Sequence, residues 1–351
     1  MTGEARIALT PVACESLIEA GHTVFIQNEA GVLSGYPDEE YLNSGVLIID
    51  SAEQLYSMAK LIVKVKQPLE ADIRYLRDEH ILFSYLHLAA DPDLVRTLCD
   101  IGLTAIPFES VSTESGSLPL LAPMSQVAGR IAVMRGASLL FRNRGGRGVL
   151  LGGVDGADNG RVVVLGAGIA GSHAVAVAVA LGAHVDVLDL DEAKLKTLKD
   201  QYPAIQTHIS TAEAVEKLCM PADLVIGAVL LAGRRAPVVL KQSVVKKMNP
   251  GSVIVDIAID QGGCVEDIHS TSSEQLCYIK NGVIHSAVPN MPATVARTSS
   301  QSLSAAILPY VNALAAADES SSLAQALVDA RAIHQGKVVD EVLNLDISAH
   351  G

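Results

Sequence analysis

The run Arg161-Val162-Val163-Val164-Leu165-Gly166-Ala167-Gly168-Ile169-Ala170-Gly171 constrains this chain more than any other stretch. An apolar segment rich in β-branched valine suits a strand buried in a parallel sheet, and the glycines after it fall at the spacing G-x-G-x-x-G. Each glycine has its own task. Gly166 allows a tight turn, Gly168 leaves room for a pyrophosphate to approach the backbone, and Gly171 lets the next helix lie close on the strand. A helix beginning near Ser172 would present free N–H groups and a positive dipole end to phosphate. The helical run 173–181, Gly182-Ala183 and a second strand at 184–188 then lead to Asp189, about 20 residues beyond the glycines. A carboxylate there can accept hydrogen bonds from ribose hydroxyls and repels a 2′-phosphate, a combination that favours NAD over NADP. Asp191 is the competing acid for that duty.

The rest of the composition narrows the class. At 351 residues the chain exceeds one comfortable core, so two domains are expected. It is 49% apolar but only 3% aromatic, without tryptophan, which is the composition of an α/β enzyme packed from small aliphatics. A formal charge of -13 makes nucleic acid and anionic membranes poor partners, while small-molecule anions can still be held by a few local cations. The five cysteines, Cys14, Cys99, Cys219, Cys264 and Cys277, form no C-x-x-C pair and read as reduced thiols of a cytoplasmic protein. No stretch reaches the roughly 18 apolar residues needed for a membrane span, and the N-terminus does not resemble a signal peptide.

Before the glycine-rich turn, strands are expected at 23–26, 47–49, 61–65, 81–86 and 104–108, with helices at 12–20, 38–44, 52–59 and 92–99. Thr10 and Pro11 suit the cap and first turn of the first helix. The alternation predicts a doubly wound sheet with right-handed crossovers. An apolar-periodic stretch, 118–141, predicts a long helix joining two domains. Further strands are expected at 224–229, 252–258 and 283–285, and a helix at 299–316 returns to the first region. The fold class is therefore α/β with two Rossmann-like doubly wound domains. The dinucleotide domain, residues 120–297, is inserted into a discontinuous substrate domain of residues 1–119 and 298–351, with the active site expected in the cleft.

Five segments carry a family resemblance: Phe83-Ser84-Tyr85-Leu86-His87-Leu88-Ala89, Ser117 through Arg130 (SLPLLAPMSQVAGR), Gly148-Val149-Leu150-Leu151-Gly152-Gly153-Val154, Val255-Asp256-Ile257-Ala258-Ile259-Asp260-Gln261-Gly262-Gly263, and Asn290-Met291-Pro292. In order and spacing they resemble the L-alanine dehydrogenases, over nearly the whole chain. The NAD-binding subunit of proton-pumping transhydrogenase shares that fold, so fold alone does not decide function. The segment 260–263 together with His87 favours the dehydrogenase.

Oxidising a primary amine with NAD requires hydride loss from Cα, proton removal from nitrogen and water, and a cation for the substrate carboxylate. His87 and Asp260 stand at expected strand ends, where open α/β sheets bind ligands. The resemblance implies His87 and Asp260 as the catalytic pair acting on iminopyruvate and carbinolamine intermediates, with Arg6 and Lys66 binding the substrate oxygens. Lys64 is the rival of Lys66. For NAD the resemblance adds Ser125 near the phosphates, Val229 and Leu230 beside the adenosine or ribose, Asn290 and Met291 near the nicotinamide, and Asp260 on its ribose. His173 reads as a solvated residue, and no metal site is expected. The resemblance also implies a homo-oligomer, specifically a hexamer.

This chain departs from the family pattern in places. A strand and a Pro-Lys-Glu segment usually precede the Arg6 region, and lacking them the substrate domain is expected to show an unsatisfied sheet edge and a looser Arg6. Gln67 stands where Glu is usual, Ser286 where an aromatic residue is usual, and Ala293 where Gly is usual. The alternatives are a transhydrogenase-like NAD(H)-binding module and a non-catalytic NAD-binding relative.

Overall fold

The computed structural model describes residues 4–229, 235–272, 274–317, 320–340 and 343. The chain divides into two compact units, residues 1–124 with 293–351 and residues 125–292.

In chain order the first unit holds α1 (Pro11–Glu19), β1 (Phe25–Gln27), α2 (Asp38–Asn43), β2 (Leu47–Ile49), α3 (Ala52–Met58), β3 (Leu61–Val63), α4 (Glu70–Ile73), β4 (Ile81–Ser84), α5 (Pro92–Ile101) and β5 (Thr104–Pro107). Helix α6 (Ala122–Leu139) then spans the unit boundary. The second unit continues with β6 (Arg161–Leu165), α7 (Ile169–Ala180), β7 (His184–Asp189), α8 (Glu192–Gln201), β8 (Gln206–Ile209), α9 (Ala212–Cys219), β9 (Leu224–Gly227), α10 (Gln242–Val245), β10 (Val253–Asp256), β11 (Tyr278–Lys280) and β12 (Val283–Ser286). The chain returns to the first unit with α11 (Ala296–Ala315), α12 (Ser322–Asp329), β13 (Ile333–His334) and β14 (Lys337–Val338).

The second unit is one sheet of order β11-β12-β10-β9-β6-β7-β8. Every pairing is parallel except β11 with β12. Strand β6 is central: Val162, Val163, Val164 and Leu165 are all buried, with Val162 and Val164 in one hydrophobic cluster and Val163 and Leu165 in another. That double burial is why the segment reads as an unbroken apolar run. The chain leaves β6 toward β7 on one side and later returns to β9 on the other, so the strand order reverses there. Ligands in such sheets bind outside the strand carboxyl ends at that reversal.

The first unit departs from the single sheet expected. Strands β1 and β2 pair in parallel as a separate ribbon, while the other strands form a sheet of order β14-β13-β5-β4-β3. The β3-β4-β5 part is parallel, and β13 and β14 join it antiparallel. These two-residue strands were beyond the reach of a periodicity argument. Expected strands also end early: 81–86 stops at Ser84 and 252–258 at Asp256, and both chains then turn into 3₁₀ or irregular backbone that carries polar side chains.

Thr10 precedes α1, and Pro11 occupies its first turn, but the threonine side chain does not cap the helix. Its backbone N–H donates to Ser304 Oγ at 3.0 Å and its hydroxyl lies 3.3 Å from the same atom. Ile7 N donates to Ser300 Oγ at 3.0 Å. Buried serines of α11 thus strap the segment that carries Arg6. No helix among the described residues is long and apolar enough to cross a membrane.

Candidate active site

Strand β4 ends at Ser84, and Tyr85, Leu86 and His87 continue from its carboxyl end. His87 adopts left-handed backbone angles, φ 50° and ψ 39°, an uncommon conformation for a side chain without local hydrogen-bonding to the turn. Glu109, just after β5, holds it there. Its Oε1 accepts the N–H of His87 at 2.6 Å and that of Leu86 at 3.2 Å, and also lies 3.8 Å from His87 Nδ1. Burial raises the Glu109 carboxyl above its usual range. Sequence reading passed over Glu109, although the strand-end rule that selects His87 selects it equally.

Lys66 Nζ lies 2.9 Å from His87 Nε2. An ammonium has only donors, so it donates to a neutral imidazole. Burial, then the positive charges of Lys66 and Arg6, hold His87 down to about 4, so at neutral pH the ring is uncharged. Lys64, the rival, is paired instead with Asp72 at 2.9 Å. Buried Arg6 is gripped by Glu4 through two parallel bonds, Nε to Oε1 at 2.8 Å and Nη2 to Oε2 at 2.7 Å, and Nη1 lies 3.1 Å from Met124 Sδ. The guanidinium thus already has a carboxylate partner in Glu4. The first unit brings Arg6, Lys66, His87 and Glu109 into one cluster.

In the second unit the glycine turn follows β6. Gly166 takes φ 101°, which side chains rarely adopt, and a Cβ on it would fall 2.6 Å from the Ala228 carbonyl oxygen. A Cβ on Gly171 would fall 1.8 Å from the Gly166 oxygen. Around Gly168, by contrast, nothing lies within 4 Å of where a Cβ would stand. Gly168 caps α7 without any side-chain bond to the first-turn amides. An open approach ending on uncapped helix N–H groups fits a dinucleotide pyrophosphate. Asp189, at the carboxyl end of β7, accepts from Ala167 N at 2.6 Å and Asp191 N at 2.9 Å, which ties it to the turn. Asp191 is occupied as the cap of α8, accepting from Ala193 N and Lys194 N.

Helix α6 packs its Gly129 against the start of α7, where a Cβ would meet the Ala170 oxygen at 2.0 Å. Ser125 sits in the first turn of α6. His173 is half-buried and accepts from Arg130 Nε at 3.2 Å, which corrects its reading as a solvated residue.

Asp260 lies in a 3₁₀ turn beyond β10 and not on the strand itself. Both its carboxylate oxygens accept from Asn290 N, at 3.2 and 3.3 Å, and Asn290 takes a left-handed φ of 52°. Fully buried Asp256 anchors this loop by accepting from Ala258 N, Cys264 N and Val265 N. Burial raises its carboxyl as well. Met291 is buried in the apolar cluster that holds Val162 and Val164. Val229 closes the segment after β9, while Leu230 lies outside the described residues.

The N-terminal domain of the alanine dehydrogenase/PNT family matches residues 1–128 and the C-terminal domain of that family matches residues 132–341. An alanine dehydrogenase of Bacillus subtilis is 44% identical over 335 residues, covering 95% of this chain and 87% of that protein. A solved L-alanine dehydrogenase superposes with a TM-score of 0.96 at 42% identity, covering 100% of this chain and 98% of that one. A solved transhydrogenase of Sinorhizobium meliloti superposes at 0.83 with 23% identity, over 97% of both chains, a likeness of fold alone. With both halves of the glycine turn, the strand-end histidine and the 260–263 segment in place, the chain belongs to the alanine dehydrogenase/PNT family.

Proposed function

We propose that this protein catalyses the reversible NAD-dependent oxidative deamination of L-alanine to pyruvate and ammonium. The observation that carries the reading is the neutral His87 with Lys66 at its Nε2, standing at a strand carboxyl end in a family whose relatives bear the alanine dehydrogenase name. An uncharged imidazole accepts a proton at neutral pH, and one bonded to an ammonium returns it readily.

The division of labour follows from the clusters. Residues 1–119 with 298–351 serve as the substrate domain and 120–297 as the NAD domain. Arg6 and Lys66 bind the carboxylate and carbonyl oxygens of pyruvate or alanine, which fixes Cα. His87 and Asp260 move protons on the substrate nitrogen and the attacking water. Glu109 acts through His87, holding its strained backbone and ring. NAD supplies the hydride acceptor. Gly166, Gly168 and Gly171 shape its pyrophosphate seat, Asp189 accepts from its ribose hydroxyls, and Ser125, Val229, Leu230, Asp260, Asn290 and Met291 complete its contacts. Cytoplasmic residence and a hexameric homo-oligomer belong to the same reading.

The test is NADH oxidation followed at 340 nm with pyruvate and ammonium, for the purified chain and its His87→Ala variant. Turnover that needs both substrates and is lost in the variant is expected. A folded chain that binds NADH without turnover would transfer the assignment to an NAD(H)-binding module of the transhydrogenase kind.

A further inference from the structure

A cavity of about 280 Å³ in the first unit lies at the end of the sheet opposite to His87. Ile81 and Thr104, the first residues of β4 and β5, line it, whereas His87 and Glu109 follow the carboxyl ends of those strands. The other walls come from the turn before β4 and from the segment that runs into β13. Both are pinned by hydrogen bonds to backbone atoms. In the turn, His80 is fully buried; its Nδ1 accepts from Arg77 N at 2.9 Å, and its Nε2 lies 3.0 Å from Tyr56 O, to which the neutral ring donates. Both ring nitrogens are therefore occupied. Around β13, Ala332 N donates to Ala105 O at 3.0 Å, Gln335 N to Thr104 Oγ1 at 3.3 Å and Gly336 N to Leu103 O at 3.1 Å. The walls are preformed, and a ligand does not have to order them.

The charges on these walls are unmatched. Arg331 lines the cavity half-buried, and its Nε is buried without a hydrogen-bond partner among the described residues. A guanidinium has only donors, so that atom lacks an acceptor. The two acids of the cavity, Asp78 and Glu79, do not supply one. Glu79 pairs with Arg77 at 3.2 Å, and neither acid forms an ion pair with Arg331 among the described residues. Both acids are exposed and stand at the mouth, while the Arg331 Nε lies inside. Buried Ile106 and Leu314 of α11 supply an apolar wall. The cavity thus has a positive inner pole, a negative rim and an aliphatic side.

We propose that this cavity binds a short aliphatic α-amino acid in its zwitterionic form, with the carboxylate on Arg331, the ammonium toward Asp78 and Glu79, and the alkyl group against Ile106 and Leu314. Opposite charges that share a cavity without pairing suit a ligand that carries both complements. A carboxylate answers the buried guanidinium with a charge-assisted bond. Phosphate and dicarboxylates would bring further negative charge past the acidic rim, which repels it. An amine without a carboxylate would leave the Arg331 Nε without an acceptor. Size agrees: a water takes about 30 Å³ of liquid, so the cavity offers the space of about nine and admits a molecule of roughly eight non-hydrogen atoms, such as valine. The site shares no residue with the cluster of Arg6, Lys66, His87 and Glu109 and is independent of the catalytic reading above.

The experiment is equilibrium dialysis of the full chain without NAD, with radiolabelled L-valine as the probe. The competitors are isovalerate, which lacks the ammonium, and isobutylamine, which lacks the carboxylate. One saturable site per chain is expected, with each competitor at least roughly tenfold weaker than unlabelled valine. Arg331→Met should weaken binding at least roughly tenfold, and Asp78→Asn roughly three- to tenfold. Lys66→Met should bind valine as the parent does. Asp78 is exposed, so its variant keeps the fold even where the arginine variant does not, and urea midpoints check both. Absence of saturable binding would overturn the proposal, as would unchanged affinity in Asp78→Asn. Isovalerate competing as well as valine would leave an anion site without the ammonium subsite, and loss of binding in Lys66→Met would move the valine to the His87 cluster; either result overturns it too.

Discussion

The two units contain seven strands each among the described residues, yet one makes a single sheet and the other is split two and five. The difference lies in one element. In the second unit β6, with four buried aliphatics, pairs with β9 on one side and β7 on the other, and every strand beyond it is anchored through those ladders. In the first unit no described strand joins β1 to β3, so β1 and β2 stand as a two-stranded ribbon, a form that is marginal by itself. The sites differ in the same sense. In the proposed reading the second unit builds its NAD seat from backbone, where glycines decide which atoms approach, and the first builds its substrate seat from the polar side chains of Arg6, Lys66, His87 and Glu109. Truncations should therefore act on chemistry in the first unit, and added atoms should act on binding in the second.

The largest effect is expected at Lys66. Lys66→Met removes both the proposed substrate cation and the charge beside His87, and kcat/KM should fall by about 10²–10⁴. Loss of that charge also lets the His87 pKa climb from about 4 toward its ordinary value near 6.5, so the acid limb of the residual pH profile should move upward. In the parent chain the sign for stability is set by the same depression. The unfolded histidine binds a proton below about 6.5 while the folded one refuses it down to about 4, so this group favours folding above that window and costs stability as the pH falls through it. A profile that does not move in the variant would separate Lys66 from His87 and weaken the side-chain half of the comparison.

The split sheet can be tested by making one substitution twice. Ile226→Ala in β9 empties a fully buried site and should cost about 2–5 kcal/mol, read from urea unfolding. Ile26→Ala in β1, a half-buried position of the ribbon, should cost less than half as much. Equal losses would mean that the ribbon is as firmly held as the central strands.

In the glycine turn two alanines should separate binding from folding. Gly168→Ala meets no atom within 4 Å and should leave the urea midpoint nearly unchanged while weakening NADH about tenfold, measured by fluorescence titration. Gly171→Ala places a Cβ 1.8 Å from the Gly166 oxygen and should lower the midpoint. If Gly168→Ala bound NADH as well as the parent, the open space above it would not be the pyrophosphate seat.

Much of this was legible in the chain. Arg161 through Gly171 predicts both strand and turn because double burial and close packing leave few residue types allowed, and His87 is found by its strand end. Other features left no periodic trace. The ribbon's separation depends on what lies between β1 and β3, a long-range property that no local window contains. Glu109 and Asp256 act by accepting backbone N–H groups from loops distant in sequence, and an acid at a strand end looks alike whether it holds a loop or faces solvent. Thr10 carries a helix-cap signal, but a buried serine of α11 outcompetes it.

The smallest effect concerns the two acids that the sequence left as rivals. Asp191 accepts from Ala193 N and Lys194 N at the start of α8, so Asp191→Ala removes an N-cap and should cost about 1 kcal/mol without changing NADH affinity. Asp189 instead accepts from Ala167 N within the glycine turn, and in the proposed function it accepts from the ribose hydroxyls. Asp189→Asn keeps the shape and removes the charge, so it should weaken NADH and narrow the preference over NADPH. Measuring both cofactors against both variants separates a residue that holds a helix from one that reads a ligand. If Asp191→Ala changed cofactor preference and Asp189→Asn did not, the assignment would be reversed, and the backbone-built site of the second unit would extend two residues further along the chain than its hydrogen bonds indicate.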